Sequence, residues 1–411
     1  MPRPLSRKVP DTFFALMIAL AAAAPWLGGC GAPRADDPRA LTQTERINRA
    51  LAAGAHFLLT QQSADGAWRS DTYGPFKDGA SLTPLVVQAL QASPLAPERD
   101  MACRRGIDYL AAFAGSDGAI GSGPHGLSYP LYTAAGAVTL LSGKNVRPSQ
   151  RNARDAWLAY LRRRQLTEEL GWQAADREYG GWGYCPLLPR KPPAGQMTPP
   201  LTESNLSATQ AALLALQAAG IPADDPAFRK ALVFVERCQN FGDVPDFDDG
   251  GFFFIYDDAV RNKAGVAGTD KQGRERYASY GSTTADGLRA LLLCGLPAEH
   301  PRVRAARHWL ETNFSATTHP GRYRSEREPN RAAVYYYYAC SIAETFRLLG
   351  IQEVAASSGK TRWAEALADE LLKRQQEDGS WSNPVVLVRE DDPLVATALA
   401  MRALAACRAG S

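Results

Sequence analysis

The sequence predicts an all-helical domain built as a closed double ring, with six buried helices inside six half-buried ones. Two observations carry the prediction. A hydroxyl residue followed seven positions later by leucine recurs six times, on stretches that are apolar nearly all round. Amphipathic stretches alternate with these.

The recurring pairs are Thr83 and Leu90, Thr133 and Leu140, Thr209 and Leu216, Thr284 and Leu291, Ser341 and Leu348, and Thr397 and Leu404. Seven residues are two helical turns, so both members of a pair share one face. The steps between hydroxyls are 50, 76, 75, 57 and 56 residues, each enough for two helices and their loops. Runs such as Leu85-Val86-Val87, Ala211-Ala212-Leu213-Leu214 and Leu291-Leu292-Leu293 leave no polar face, which requires burial on all sides. The stretches 45–59, 104–113, 153–164, 227–238, 302–313 and 363–374 carry charge on one face and read as the outer helices. A closed ring of such hairpins needs no capping repeats, unlike an open solenoid.

The turns that lead from outer to inner helices share a second pattern. Gln61-Gln62-Ser63-Ala64-Asp65-Gly66-Ala67-Trp68 follows the first outer helix, and Gln375-Gln376-Glu377-Asp378-Gly379-Ser380-Trp381 the last. Gly180-Gly181-Trp182 and Gly250-Gly251-Phe252 hold equivalent places, with Asp117-Gly118-Ala119-Ile120 a weaker copy. Glycine supplies the positive φ of a tight turn, and the ring then fills the gap between repeats.

These turns resemble the QW motif of squalene and hopene cyclases: Phe57-Leu58, Gln62, Gly66 and Trp68 in one copy, and Leu371-Leu372, Gln376, Gly379 and Trp381 in the other. The resemblance covers residues 45–408 and implies the (α/α)6 toroid of the terpenoid cyclase and protein prenyltransferase superfamily. It is closest to bacterial exported prenyltransferase and squalene-oxidase repeat proteins, through Cys238-Gln239-Asn240, Asp249-Gly250-Gly251-Phe252-Phe253, the stretch from Tyr280 to Leu288, Tyr335-Tyr336-Tyr337-Tyr338 and Asp392-Pro393-Leu394-Val395.

The residues that give that superfamily its chemistry are missing. Class II cyclases carry an Asp-x-Asp-Asp-Thr-Ala acid motif at an inner-helix start, where this chain reads Ser204-Asn205-Leu206-Ser207-Ala208-Thr209. The string Asp246-Phe247-Asp248-Asp249 is followed by Gly-Gly-Phe and reads as a solvated turn. Prenyltransferases need Asp, Cys and His on inner helices to hold zinc. Here position 288 is Leu, the tyrosine run ends in Ala339, and His56, His125, His300, His308 and His319 are scattered. No metal and no other cofactor is assigned.

Asp286, a carboxylate on an otherwise apolar inner helix, is the candidate general acid; the competing reading is an aspartate stabilised by the helix dipole. Tyr280, Tyr335, Tyr336, Tyr337 and Tyr338 are candidate cavity-lining rings. Asp391 and Asp392 join them at the start of the sixth inner helix, where Asp392 before Pro393 also reads as an N-cap. Two functions follow. One is a toroid that binds a hydrophobic isoprenoid, lipid or peptide without reacting with it. The other is a cyclase- or prenyltransferase-like enzyme with Asp286 as a displaced acid. A carbohydrate-active toroid, with Asp286 paired to Asp391 or Asp392, is a third reading.

The first residues read as an address. Arg3, Arg7 and Lys8 precede an apolar stretch that ends in Leu27-Gly28-Gly29-Cys30. The stretch is too short for a comfortable span and suits a signal peptide. The Cys30 context resembles the lipobox of bacterial lipoproteins, which implies lipidation at Cys30 and a cell-envelope location. The expected organisation is a leader at 1–29, a tether at 30–44 and the toroid at 45–408. The 411 residues carry a formal charge of +3, and residues 1–29 hold three basic residues against one acidic, so the body is nearly neutral and offers no footprint for nucleic acid. Cys103, Cys185, Cys238, Cys294, Cys340 and Cys407 are expected as buried thiols.

Overall fold

A computed structural model describes residues 41–94, 97–123, 126–143, 146–242, 244–256, 258–356 and 359–409. The leader, Cys30 and His125 lie outside the described residues.

Thirteen helices are present among the described residues. The outer ones are α1 (Gln43–Thr60), α3 (Glu98–Ala111), α5 (Arg151–Arg162), α7 (Pro226–Arg237), α9 (Pro301–Asn313) and α12 (Trp363–Lys373). The inner ones are α2 (Thr83–Gln91), α4 (Pro130–Leu141), α6 (Leu206–Ala218), α8 (Gly281–Leu293), α11 (Tyr335–Leu348) and α13 (Pro393–Ala409). A short α10 (Glu328–Ala333) leads into α11. Each inner helix packs on the next, and α13 packs back on α2, so the inner ring is closed. Two antiparallel hairpins decorate it: β1 (Val266–Thr269) with β2 (Glu275–Tyr277), and β3 (Glu353–Ala356) with β4 (Gly359–Arg362). Helix α1 begins at Gln43, inside the stretch expected to be tether, because Thr42 and Glu45 form a capping box. No described helix is long and apolar enough to cross a membrane.

The repeated hydroxyl has a clear job. Thr83, Thr209, Thr284 and Thr397 each accept the backbone N–H of the turn aromatic, from Trp68 (3.1 Å), Trp182 (3.1 Å), Phe252 (3.0 Å) and Trp381 (3.0 Å). All four aromatic side chains are buried, and the indoles of Trp68, Trp182 and Trp381 donate to carbonyls at the ends of their outer helices. A hydroxyl in the first turns of these four inner helices thus satisfies a donor that the buried ring would otherwise strand. Thr133 departs from the pattern, its hydroxyl donating to the Tyr129 carbonyl, and so does Ser341. No aromatic turn precedes it, its hydroxyl donates to Asp286, and its partner Leu348 is 59% exposed while the other five leucines are buried.

A glutamine staples each strong turn to the next repeat. Gln62, Gln165, Gln239 and Gln375 donate to the turn glycine's carbonyl and to a carbonyl on the following outer helix, that of Ala102, Ala227, Arg302 and Ala50. In the last repeat the motif glutamine is therefore Gln375 rather than Gln376, whose amide reaches Ser382. The four-residue spacing from Gln62 to Gly66 recurs from Gln375 to Gly379 and fixes the register.

Candidate functional site

Each inner helix follows an outer helix in the chain, so all six start at one rim. Asp286 sits on α8, fully buried. Its Oδ1 accepts from the Arg289 guanidinium (2.8 Å) and the Ser341 hydroxyl (2.9 Å). Its Oδ2 accepts from the Tyr337 hydroxyl (2.7 Å) and from Ser207 on α6 (3.2 Å). A carboxylate offers about four acceptor positions, and here four donors from three helices fill them.

One turn further along, a chain of charge links three neighbouring inner helices, α8, α11 and α13. Arg289 donates to Glu344 on α11 at 2.6 Å, and Arg402 on α13 donates to the same carboxylate at 2.6 Å. Burial alone would raise the Glu344 carboxyl, but Arg402 and Arg289 outweigh it and hold the group down to about 2. Glu344 and Arg402 keep 21% and 23% of their side-chain surface.

Above this layer stand aromatic rings. Tyr132 on α4 and Tyr184 from the turn before α6 share a hydroxyl contact of 2.8 Å, and the Tyr184 ring lies 6.4 Å from that of Phe254. Burial pushes the Tyr132, Tyr184 and Tyr337 hydroxyls up, and Asp286 adds to the effect at Tyr337. All three are neutral donors at ordinary pH. Tyr132, Tyr184, Phe254 and Tyr337 are each half-buried, and Tyr337 touches Asp286.

Of the five tyrosines offered as candidate lining residues, Tyr337 is the one that hydrogen-bonds within the Asp286 cluster. Tyr335 donates to the Ala316 carbonyl, Tyr336 to that of Ser382 and Tyr338 to that of Ser315. Tyr280 precedes α8 and packs with His319 and Tyr323. Successive helical residues turn by about 100°, so one of four consecutive rings points to the axis. Asp392 caps α13 through Leu394 N–H (2.9 Å), and Asp391 accepts from Tyr73 (2.6 and 2.7 Å). Neither is part of the Asp286 hydrogen-bond cluster.

Two buried side chains cap inner helices that lack caps of their own. His319 Nε2 accepts the Ser282 N–H of α8 (2.9 Å); burial, with Arg331 and Lys263 nearby, lowers the imidazole to about 3. Glu390 accepts the N–H groups of Tyr336 (2.9 Å) and Tyr337 (2.8 Å). Burial raises its carboxyl to about 7 against the pull of those donors.

Sequence reasoning missed Arg289, Glu344, Arg402, Tyr132, Tyr184 and Phe254. The signal that found Asp286, a charge on an apolar helix, applies equally to Arg289, three residues on, and to Glu344 and Arg402. Tyr184 and Phe254 each stand two residues after a turn aromatic. The Asp246–Asp249 string is structural: Asp248 accepts from Gly242 N–H, and Asp249 from Gly251 N–H, Ser279 and Trp309. No group of three or more His, Cys, Asp or Glu among the described residues is arranged to hold a metal ion. Two hollows lie off the axis, one of about 330 Å³ lined by Arg162, Gln165 and Lys230, and one of about 230 Å³ lined by Asp249, His308 and Trp309. The six cysteines among the described residues are free thiols, all buried except the half-buried Cys294.

No family model matches the chain, and no curated protein matches it. Solved structures do. An aspartate-to-alanine variant of the type II terpene cyclase MstE from Scytonema, bound to its product merosterolic acid A, is 16% identical with a TM-score of 0.55, over 90% of this chain and 99% of that one. The aspartate-to-asparagine variant of the same enzyme, bound to the substrate geranylgeranyl dihydroxybenzoate, is 14% identical (TM-score 0.53, 90% and 98%). The GH76A α-1,6-mannanase from Salegentibacter sp. HEL1_6 is 9% identical (TM-score 0.52, 88% and 99%). The chain shares the α/α-toroid fold with both enzymes.

Proposed function

We propose that this toroid binds an apolar small molecule in its axial funnel without chemically altering it. The observation that carries the reading is the saturation of Asp286. Protonating an alkene requires an acid whose proton points at the substrate. The four acceptor positions of Asp286 are instead taken by Arg289, Ser341, Tyr337 and Ser207. The next axial carboxylate, Glu344, is held between two guanidiniums. What the funnel offers a ligand is the faces of Tyr132, Tyr184, Phe254 and Tyr337 and neutral phenolic hydroxyls. An isoprenoid with a hydrogen-bonding head suits that division, and the substrate held by the MstE variant has the same two parts.

The carbohydrate reading finds no support, because Asp391 and Asp392 are divided between Tyr73 and the α13 cap. The N-terminal pattern supports placing the protein at the cell envelope through a lipid on Cys30. Metabolic labelling with an alkynyl fatty acid should mark wild type and not Cys30→Ser, and equal labelling would remove that part of the reading.

The test of function is recovery. Wild-type protein incubated with geranylgeraniol and extracted should return the alcohol unchanged. A chromatographically distinct isomer that forms with wild type and not with Asp286→Asn would establish the cyclase reading instead.

A further inference from the structure

The stretch 382–392 lies on the rim where the inner helices start. The Asn383 N–H donates to the Glu390 carbonyl at 2.8 Å, which ties the ends of a short loop together. At and below the tie, each side chain goes to a different part of the rim. Glu390 caps α11, Asp391 accepts from Tyr73, and Asp392 caps α13.

Arg389 goes furthest. Its guanidinium carbon lies 5.5 Å from the Tyr73 ring, 5.5 Å from Phe76 and 5.2 Å from Tyr129. Tyr129 immediately precedes α4. Around the ring α13 is followed by α2 and then α4. A side chain from the loop before α13 therefore crosses the start of α2 to reach Tyr129.

Its backbone is unfavourable for the residue. Arg389 has φ +69°, and among the described residues only Leu201 shares a positive φ without being glycine. Such a conformation is strained for a residue with a Cβ, and the three guanidinium–ring contacts offset that strain. Above the tie, Val386 and Leu387 are 64% and 56% exposed, and the Val385 N–H donates to Asn383 Oδ1 at 3.0 Å.

We propose that residues 384–389 form a lid on the axial funnel, latched by Arg389 in the box of Tyr73, Phe76 and Tyr129. The lid rests on the funnel reading given above. Releasing the guanidinium lets Arg389 leave its left-handed backbone, so the strain favours opening while the rings favour closure. Opening leaves the caps from Glu390 and Asp392 in place, because they lie below the tie.

Two measurements on the full chain test this. Hydrogen–deuterium exchange of a peptide covering 384–389 should speed up about 10-fold or more in Arg389→Ala, with α13 unchanged. Unchanged exchange in that peptide overturns the latch. Stopped-flow fluorescence with the neutral apolar probe N-phenyl-1-naphthylamine should show uptake and release both faster by about 10-fold in Arg389→Ala, with Kd moved by less than about 3-fold. Unchanged uptake and release rates, or a Kd shift carried by one rate alone, overturn the lid. If the probe fails to bind wild type, the funnel reading itself fails, and the exchange result still reports whether Arg389 holds the loop.

Discussion

Gln375, after the last outer helix, donates to the carbonyl of Ala50 on the first at 2.9 Å, and to Gly379 at 2.9 Å. Gln62, Gln165 and Gln239 make the same bond from one repeat to the next; this copy closes the ring. Gln375→Leu leaves two carbonyls without their donor and should cost about 1–3 kcal/mol. Gln376→Leu, at an exposed position, should cost about 0.5 kcal/mol or less. Urea unfolding of the two variants separates the neighbours, and equal losses would contradict the assigned register.

The outcome for these two glutamines shows what the sequence makes legible. The hydroxyl repeat and the turn aromatics were readable because each repeats one physical job. The adjacent glutamines differ only in which one faces the next helix, and that phase has no compositional mark. The axis was readable at Asp286 alone. Its partners Ser341 and Ser207 lie on other helices, at separations set by loop lengths that no periodicity fixes. Four consecutive tyrosines likewise announce that one ring faces inward without saying that it is Tyr337.

Gly180 takes φ +90°, and a Cβ there would fall on the Lys230 carbonyl of α7. Gly118 takes φ +75° in the weak second turn, with open space around it. Gly118→Ala should cost about 1 kcal/mol, from backbone conformation alone. Gly180→Ala adds displacement of a packed helix and should cost about 3 kcal/mol or more. Thermal unfolding of the pair checks whether the close approach to the next repeat dominates.

Asp286→Asn leaves Arg289 buried beside a single remaining carboxylate, Glu344. Removing one partner of a buried pair costs about 3–5 kcal/mol. Because the charges form one network, Asp286→Asn combined with Arg289→Gln should cost clearly less than the sum of the single variants, by about 1–3 kcal/mol. Additive losses in a double-mutant cycle would show that the two residues act independently.

Glu390 carries the clearest pH signature. Its carboxyl stands at about 7 in the folded chain against an ordinary 4.5. The folded state therefore holds an extra proton between pH 4.5 and 7, and stability from this group is full below pH 4.5 and is lost as pH rises through 7. The linked free energy is on the order of 3 kcal/mol. His319 and Glu344, both lowered, act with the opposite sign and lose stability as pH falls below 6.5 and 4.5. They are common to wild type and Glu390→Gln, so they cancel in the comparison. The stability of wild type relative to Glu390→Gln should fall between pH 4.5 and 7; a flat difference would place the Glu390 carboxyl at its ordinary value.

The most direct test of the binding claim is a titration of wild type and of Phe254→Arg with geranylgeraniol, followed by native mass spectrometry and melting temperature. Phe254 is half-buried beside Tyr184. The account predicts one bound alcohol per wild-type chain, weakened by about 10-fold or more in Phe254→Arg, with little change in melting. Undiminished binding to a Phe254→Arg chain that is still folded, or no binding to wild type, would contradict it.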